Sequence, residues 1–150
     1  MYKYLLIVVV FIFALSCNED SKSIENSTNR GNDPWVFRSV LDKQARIVTL
    51  ALSDKFWAAY NTNTGGIYKF WKGYVNFQGA VYDNAHGPQP ESIGNAFFIN
   101  KHEQPWQLNV NGNAKSVKAK YLGHHMVGDQ VELKYAIQDG GNNIIIKERP

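Results

Sequence analysis

Residues 34–150 predict an all-β protein, an antiparallel β-sandwich of eight or nine short strands. Three observations lead to that class. The apolar residues recur with period two: Val131, Leu133, Tyr135 and Ile137 alternate with Glu132, Lys134, Ala136 and Gln138, the pattern of a half-buried strand. Turn signals separate such runs at regular intervals, among them Asn111-Gly112 and Asp139-Gly140-Gly141, which mark hairpins. No stretch carries the 3.6-residue apolar period of an amphipathic helix, and regularly spaced short strands suit a sandwich or barrel.

In chain order, residues 1–16 read as a signal peptide. Lys3 supplies a positive start, residues 5–13 form an unbroken apolar run, and Ala14-Leu15-Ser16-Cys17 places small residues at a cleavage point. The run is too short for comfortable spanning, which takes about 20 residues. The four residues ending at Cys17 resemble a bacterial lipobox, which implies lipidation of Cys17 and a membrane anchor. The expected location is the cell envelope, at the outer membrane, facing either the periplasm or the cell surface. Asn18-Glu19-Asp20 is similar to the acidic export signal of surface lipoproteins. Residues 17–33 are almost wholly polar, with Ile24 the single large apolar side chain; such a segment cannot bury enough to offset its ordering entropy, so it reads as a flexible tether. As a coil it would reach about 20–25 Å.

The domain then starts at residue 34. Strands are expected at 36–41, 46–52, 55–60, 67–71 and 75–82, with turns at 42–44, 53–54, 61–66 and 72–73. Residues 84–94 contain Pro88 and Pro90, which lack amide donors, so a long shaped loop is expected there, and loops of this length are often functional. Trp106, Leu108 and Val110 alternate with polar residues up to Asn111-Gly112, and Val117, Ala119 and Tyr121 resume the pattern. The strand 131–137 and the β-forming run 144–146 complete the set.

Charge and cysteine content narrow the function. The chain has 16 Lys and Arg against 13 Asp and Glu; without Lys3 the balance is 15 to 13, or +2. That is no electrostatic footprint for nucleic acid or for a polybasic membrane contact. Cys17 is the single cysteine, so disulfides, thiolate metal sites and Cys-x-x-Cys-His haem attachment have no residues to use, and no cofactor is expected. The fold rests on its core, for which aromatic side chains are plentiful.

Four blocks share a resemblance: residues 33–42 (DPWVFRSVLD), 67–73 (IYKFWKG), 75–77 with 79–82 (VNF and GAVY), and 86–90 (HGPQP). Together they resemble the N-terminal β-domain of large exported bacterial proteins that combine a c-type cytochrome with a sugar-dehydrogenase-like propeller. The resemblance covers nearly all of 33–150, and the segments around Tyr121-Leu122-Gly123, 131–135 and Glu148-Arg149-Pro150 are similar to the end of that domain. It implies an accessory β-sandwich and a cytochrome or dehydrogenase partner. The haem motif and propeller have no counterpart in this sequence, so electron transfer and sugar oxidation are not carried over.

No nucleophile elbow, phosphate-cradling glycine loop or nucleotide fingerprint is present, and an enzymatic reading finds no motif. His86 and Gln89 lie in the proline-stiffened loop, where a ligand would find little entropy to remove. Period two sets Tyr68 and Phe70 on one side of a strand and Ile67, Lys69 and Trp71 on the other. One aromatic set is therefore outside the core unless both faces are covered. Trp57 and Trp71 then become candidates to stack on sugar rings, with Asn76 supplying an amide; the competing assignment is core or a docking surface. His124 and His125 are adjacent and should point to opposite faces of a strand. The leading expectation is a lipid-anchored, non-catalytic domain that docks onto partner protein. The second is a carbohydrate-binding module built on Trp57, Trp71, Asn76, His86 and Gln89.

Overall fold

A computed structural model describes residues 35–77, 87–103 and 105–150. Cys17, the expected signal peptide and tether, and His86 lie outside the described residues. Ten strands are present there and no helix, so none long and apolar enough to cross a membrane. β1 (Trp35–Leu41), β2 (Gln44–Ala51), β3 (Phe56–Asn61), β4 (Gly66–Asn76) and β5 (Glu91–Ile99) form one sheet in chain order. β6 (Trp106–Val110) and β7 (Asn113–Val117) form a separate hairpin. β8 (Ala119–Val127), β9 (Gln130–Asp139) and β10 (Asn142–Glu148) form a three-stranded sheet with β9 central. All pairs are antiparallel.

The five-stranded sheet is buried on both faces. On one, Val48, Leu50, Ala58 and Tyr60 meet Val117, Ala119, Val131, Leu133, Tyr135 and Ile137 from the hairpin and the three-stranded sheet. This is the interior of the sandwich, and period two delivers it: alternate residues of β2, β3 and β9 point inward. On the other face, Leu41, Ile47, Ala51, Trp57, Ala59, Trp71 and Val75 form a second cluster, flanked by Phe37, Tyr68 and Phe77. The Tyr60 hydroxyl donates to Glu148 Oε1 at 2.7 Å, linking β3 to β10 across the interior.

The ten strands differ from the expected eight or nine in three places, two adding a strand and one merging two. The run around Val117 and Tyr121 divides at Lys118 into β7 and β8. Residues 72–73, expected as a turn, continue β4, which joins the expected strand 67–71 to the start of 75–82. Gly73 has φ 152° and pairs with Gly94 at φ 126° on β5. A Cβ on Gly73 would meet the Ile93 carbonyl, and one on Gly94 the Lys72 carbonyl. The glycines permit a close backbone approach inside the sheet rather than a reversal. Third, the expected loop 84–94 ends early: Pro90 is buried, its carbonyl accepts the Asp42 amide at 3.0 Å, and β5 begins at Glu91.

Two bulges also re-aim side chains. On β4, Ala59 pairs with Lys69 but Tyr60 pairs with Ile67, so Tyr68 is the extra residue. Ile67 therefore joins Phe70 at the sandwich interior, while Tyr68 joins Trp71 on the other face. The expected grouping of Tyr68 with Phe70 is thereby overturned; one inserted residue reverses the parity. On β2, Val40 faces two residues, Ala45 and Arg46, between the pairs Ser39–Ile47 and Leu41–Gln44. Arg46 sits at φ 59°, a left-handed conformation that costs a side-chain-bearing residue about 1–2 kcal/mol.

Candidate functional site

Trp57 and Trp71, expected as exposed stacking platforms, belong to the second core cluster. They are 5% and 0% exposed and stack on each other with ring centres 6.1 Å apart. Their indole N–H groups donate to the backbone, Trp57 to Gly73 O at 3.0 Å and Trp71 to Tyr74 O at 3.2 Å. Neither ring face is open to a sugar. The physical reason is the covering of both faces of the five-stranded sheet. Asn76 and Gln89 are half-buried on β4 and just before β5. His86 lies outside the described residues, so the expected constellation is not assembled.

Three other arrangements emerge. The first is a polar clasp. Asp42 and Lys43 occupy the β1–β2 turn with φ 50° and 64°, the twin positive φ values of a two-residue type I′ hairpin. Asp42 Oδ2 accepts the Ser92 hydroxyl at 2.6 Å, the Lys69 ammonium at 3.2 Å and the Tyr68 hydroxyl at 3.3 Å, and its Oδ1 accepts the Ser92 amide at 2.7 Å. Lys69 also donates to Ser92 Oγ. A serine with a lysine suggests a nucleophile and its base. That chemistry needs an amine free to accept the serine proton, and here the Lys69 amine donates to both Asp42 and Ser92. The Ser92 proton is likewise directed at Asp42. The group fastens the β1–β2 turn to β4 and β5, and burial together with the Asp42 carboxylate pushes the Tyr68 phenol up to about 12.

The second is a carboxylate under a lid of basic side chains. Glu132 Oε2 accepts Arg149 Nε at 3.0 Å and Nη2 at 2.8 Å, while Lys147 and His125 stand 3.6 and 3.4 Å from Oε1. Alternation placed Glu132 on the polar side of β9; it is on that side, yet buried, because three long side chains cover it. The Arg149 hydrogen bond, with the Lys147 charge, holds its carboxyl below the usual range. His124, the neighbour of His125, turns the other way, and its Nδ1 lies 2.6 Å from the Tyr121 hydroxyl.

The third is a basic groove. A cavity of about 490 Å³ is lined by Arg38, Arg46, Thr62, Asn63, Tyr121, Leu122, Gly123 and His124. A second, of about 680 Å³, shares Thr62, Asn63 and Tyr121 and continues past Lys115, Lys118 and Lys120 to Gln138 and Asp139. The strained Arg46 is fixed by the β3–β4 turn: Thr62 donates its amide and hydroxyl to the Arg46 carbonyl at 3.0 and 2.9 Å, and Arg46 Nη1 donates to Asn63 Oδ1 at 3.1 Å. Asp139 is the one carboxylate in either lining, and Lys115 takes it at 2.9 Å. Burial, then the nearby Arg38 charge and His125, hold His124 below the ordinary histidine range.

A fourth surface is apolar. Phe56 is 38% exposed, Phe97 60%, Phe98 47% and Ile99 46%. Phe97 is the bulged residue of β5, since Phe70 pairs with Phe98 but Trp71 with Ala96. The Phe97 ring meets Phe56 at 6.2 Å and Phe70 at 5.6 Å. β5 ends the five-stranded sheet, and its outer edge has no strand partner among the described residues.

The bulges and the glycine pair carried no period-two signal, which is why sequence reasoning missed the groove and the phenylalanine patch. Phe97-Phe98-Ile99 was an apolar run in plain view, and it could have been found as a strand without alternation. Comparison of the chain with protein-family profiles, curated proteins and solved structures gives no match.

Proposed function

We propose that this chain is a lipid-anchored, non-catalytic accessory β-sandwich that docks onto a partner protein along β5. The observation that carries the reading is the exposed Phe56 and Phe97, whose rings meet at 6.2 Å, with Phe98 and Ile99 exposed on the same strand, beside an edge of β5 that has no strand partner among the described residues. Exposed apolar patches of this kind mark interaction sites, and an open edge offers main-chain hydrogen bonds to an added strand. An edge left without a partner while carrying three large apolar residues, as β5 is among the described residues, would otherwise be an aggregation hazard. Lipidation at Cys17 would hold the domain at the cell envelope, and the resemblance of its sequence blocks points to a c-type cytochrome or dehydrogenase as the partner.

Affinity capture with the full chain in detergent, from its own membranes, tests this. Wild type is expected to retain a haem- or dehydrogenase-containing protein that the F97S/F98S variant loses. Capture that is identical for both, or a patch that merely pairs two copies of this chain in sedimentation, defeats the reading.

A second reading is a carbohydrate-binding module, favoured by the groove of Thr62, Asn63, Tyr121 and Gln138 rather than by Trp57 and Trp71. Hydroxyls and amides beside one ring are the usual contacts of a polar ligand site.

A further inference from the structure

We infer that the groove spanning Arg38, Arg46, Thr62, Asn63, Lys118 and Lys120 binds an anionic oligosaccharide, one bearing carboxylate or sulfate groups on its sugars. The inference rests on the carbohydrate-binding reading and adds the ligand's charge.

The charge follows from the lining. Arg38, Lys118 and Lys120 have no carboxylate partner among the described residues, and Arg46 bonds only a neutral amide. The single acid, Asp139, is taken by Lys115. Cations are thus gathered without counter-charges in a chain that is nearly balanced overall, a local field that concentrates anions.

Arg46 shows that the position is specified. Glycine adopts φ 59° freely, whereas arginine is strained there. The bulge and two hydrogen bonds from Thr62 hold the backbone in that state. A strained side-chain-bearing residue held by its surroundings points to use of its side chain. Arginine offers a planar fork suited to carboxylate and sulfate.

The saccharide follows from what lies between the cations. Thr62, Asn63, Ser116 and Gln138 are neutral donors and acceptors that a bare inorganic anion would not need. Each cavity falls in the size range of small-molecule sites, roughly 300–1,000 Å³. Nucleic acid fits less well, because Tyr121 is the only ring in either lining besides His124 and successive bases need several.

Calorimetric titration of the full chain in detergent tests the assignment, using oligogalacturonate, a heparin oligosaccharide, a neutral xylo-oligosaccharide and inorganic sulfate. Binding of either acidic oligosaccharide, weakened about tenfold or more in Arg46→Gly, supports it; the tighter of the two identifies the anionic group. Arg46→Gly relieves the strained backbone, so it should keep the wild-type unfolding midpoint. Arg38→Gln, at an exposed strand position, gives the same reading should Arg46→Gly unfold. Neutral and acidic sugars binding equally would overturn the charge assignment while leaving a carbohydrate module standing. Sulfate binding as tightly as the oligosaccharides, or no heat with any probe, would overturn the proposal. F97S/F98S should bind the saccharide as wild type does, which separates this groove from the docking edge.

Discussion

Replacing Trp71 by alanine separates a core residue from a ligand platform by energy. The ring is wholly buried, stacked on Trp57 within the second core cluster. An aromatic of this kind removes about 150–250 Å² from water. At about 25 cal/mol per Å² that is about 4–6 kcal/mol, an upper figure because unfolded chains already bury some surface. Core substitutions of Trp or Phe by Ala cost about 3–5 kcal/mol, so a loss of about 4 kcal/mol is expected. Set against the roughly 5–15 kcal/mol of a typical domain, the variant should sit near its folding threshold. Urea unfolding followed by circular dichroism measures the change: the midpoint should fall sharply with the denaturant slope unchanged. Trp71→Phe keeps an aromatic ring but loses part of the indole's volume and the bond to Tyr74, the latter worth about 1 kcal/mol, so its cost should fall below that of Trp71→Ala. A Trp71→Ala loss below about 0.5 kcal/mol, as at ordinary surface positions, would refute the burial argument and return Trp71 to the list of sugar platforms.

Other consequences follow the same logic. Gly94→Ala should destabilise by more than about 1 kcal/mol, because φ 126° and the facing Lys72 carbonyl both oppose a Cβ; the thermal midpoint reports it. The depressed Glu132 carboxyl contributes stability that is complete above its unfolded-state value near 4.5 and lost as pH falls through the lower folded value. Arg149→Gln should therefore flatten the acid limb of a stability–pH profile. His124 has the same sign: proton resonances should titrate below the ordinary value of 6.5 in the free chain. They should move upward when an acidic oligosaccharide in the groove offsets the Arg38 charge that helps hold them down. The Tyr68 phenol, raised to about 12, protects the fold below pH 10 and loses that contribution between pH 10 and 12. Absorbance titration near 295 nm should show Tyr68→Phe removing one late-ionising group.

The expected class and most strands were legible because burial on one face writes period two directly into the sequence. The stretch 131–137 shows this: Val131, Leu133, Tyr135 and Ile137 all reach the interior. The Asn111-Gly112 hairpin was equally local, with Val110 paired to Asn113 and Asn111 at φ 52°. Local chemistry failed where the partner strand decided the outcome. Gly73 looked like a turn because glycine is permissive; only the facing Gly94 shows that it serves close packing within a sheet. Phe97-Phe98-Ile99 carried no alternation, since a bulge and exposure on both sides of β5 remove it.

Bulges explain why the candidate sites were harder to read than the fold. Parity counting propagates along a strand, so one inserted residue exchanges core and surface for everything beyond it. That error assigned Tyr68 to the side of Phe70. Its true neighbour is Lys69, and the pair converges on Asp42 from adjacent positions, which regular β geometry forbids and a bulge allows. The β2 bulge places Arg46 beside Asn63 in the same manner, and the β5 bulge sets Phe97 against Phe56. These three bulges lie at the polar or exposed arrangements, and a fourth, on β8 between Tyr121 and Gly123, makes Leu122 the extra residue in the lining of the groove; β9, which supplies four residues to the sandwich interior, keeps its own alternation. A core strand gains by regularity, because every second residue is then buried. A surface arrangement gains by breaking it, because neighbouring side chains can be brought to one side. The irregular positions are therefore where substitutions should separate function from stability, Arg46 first among them.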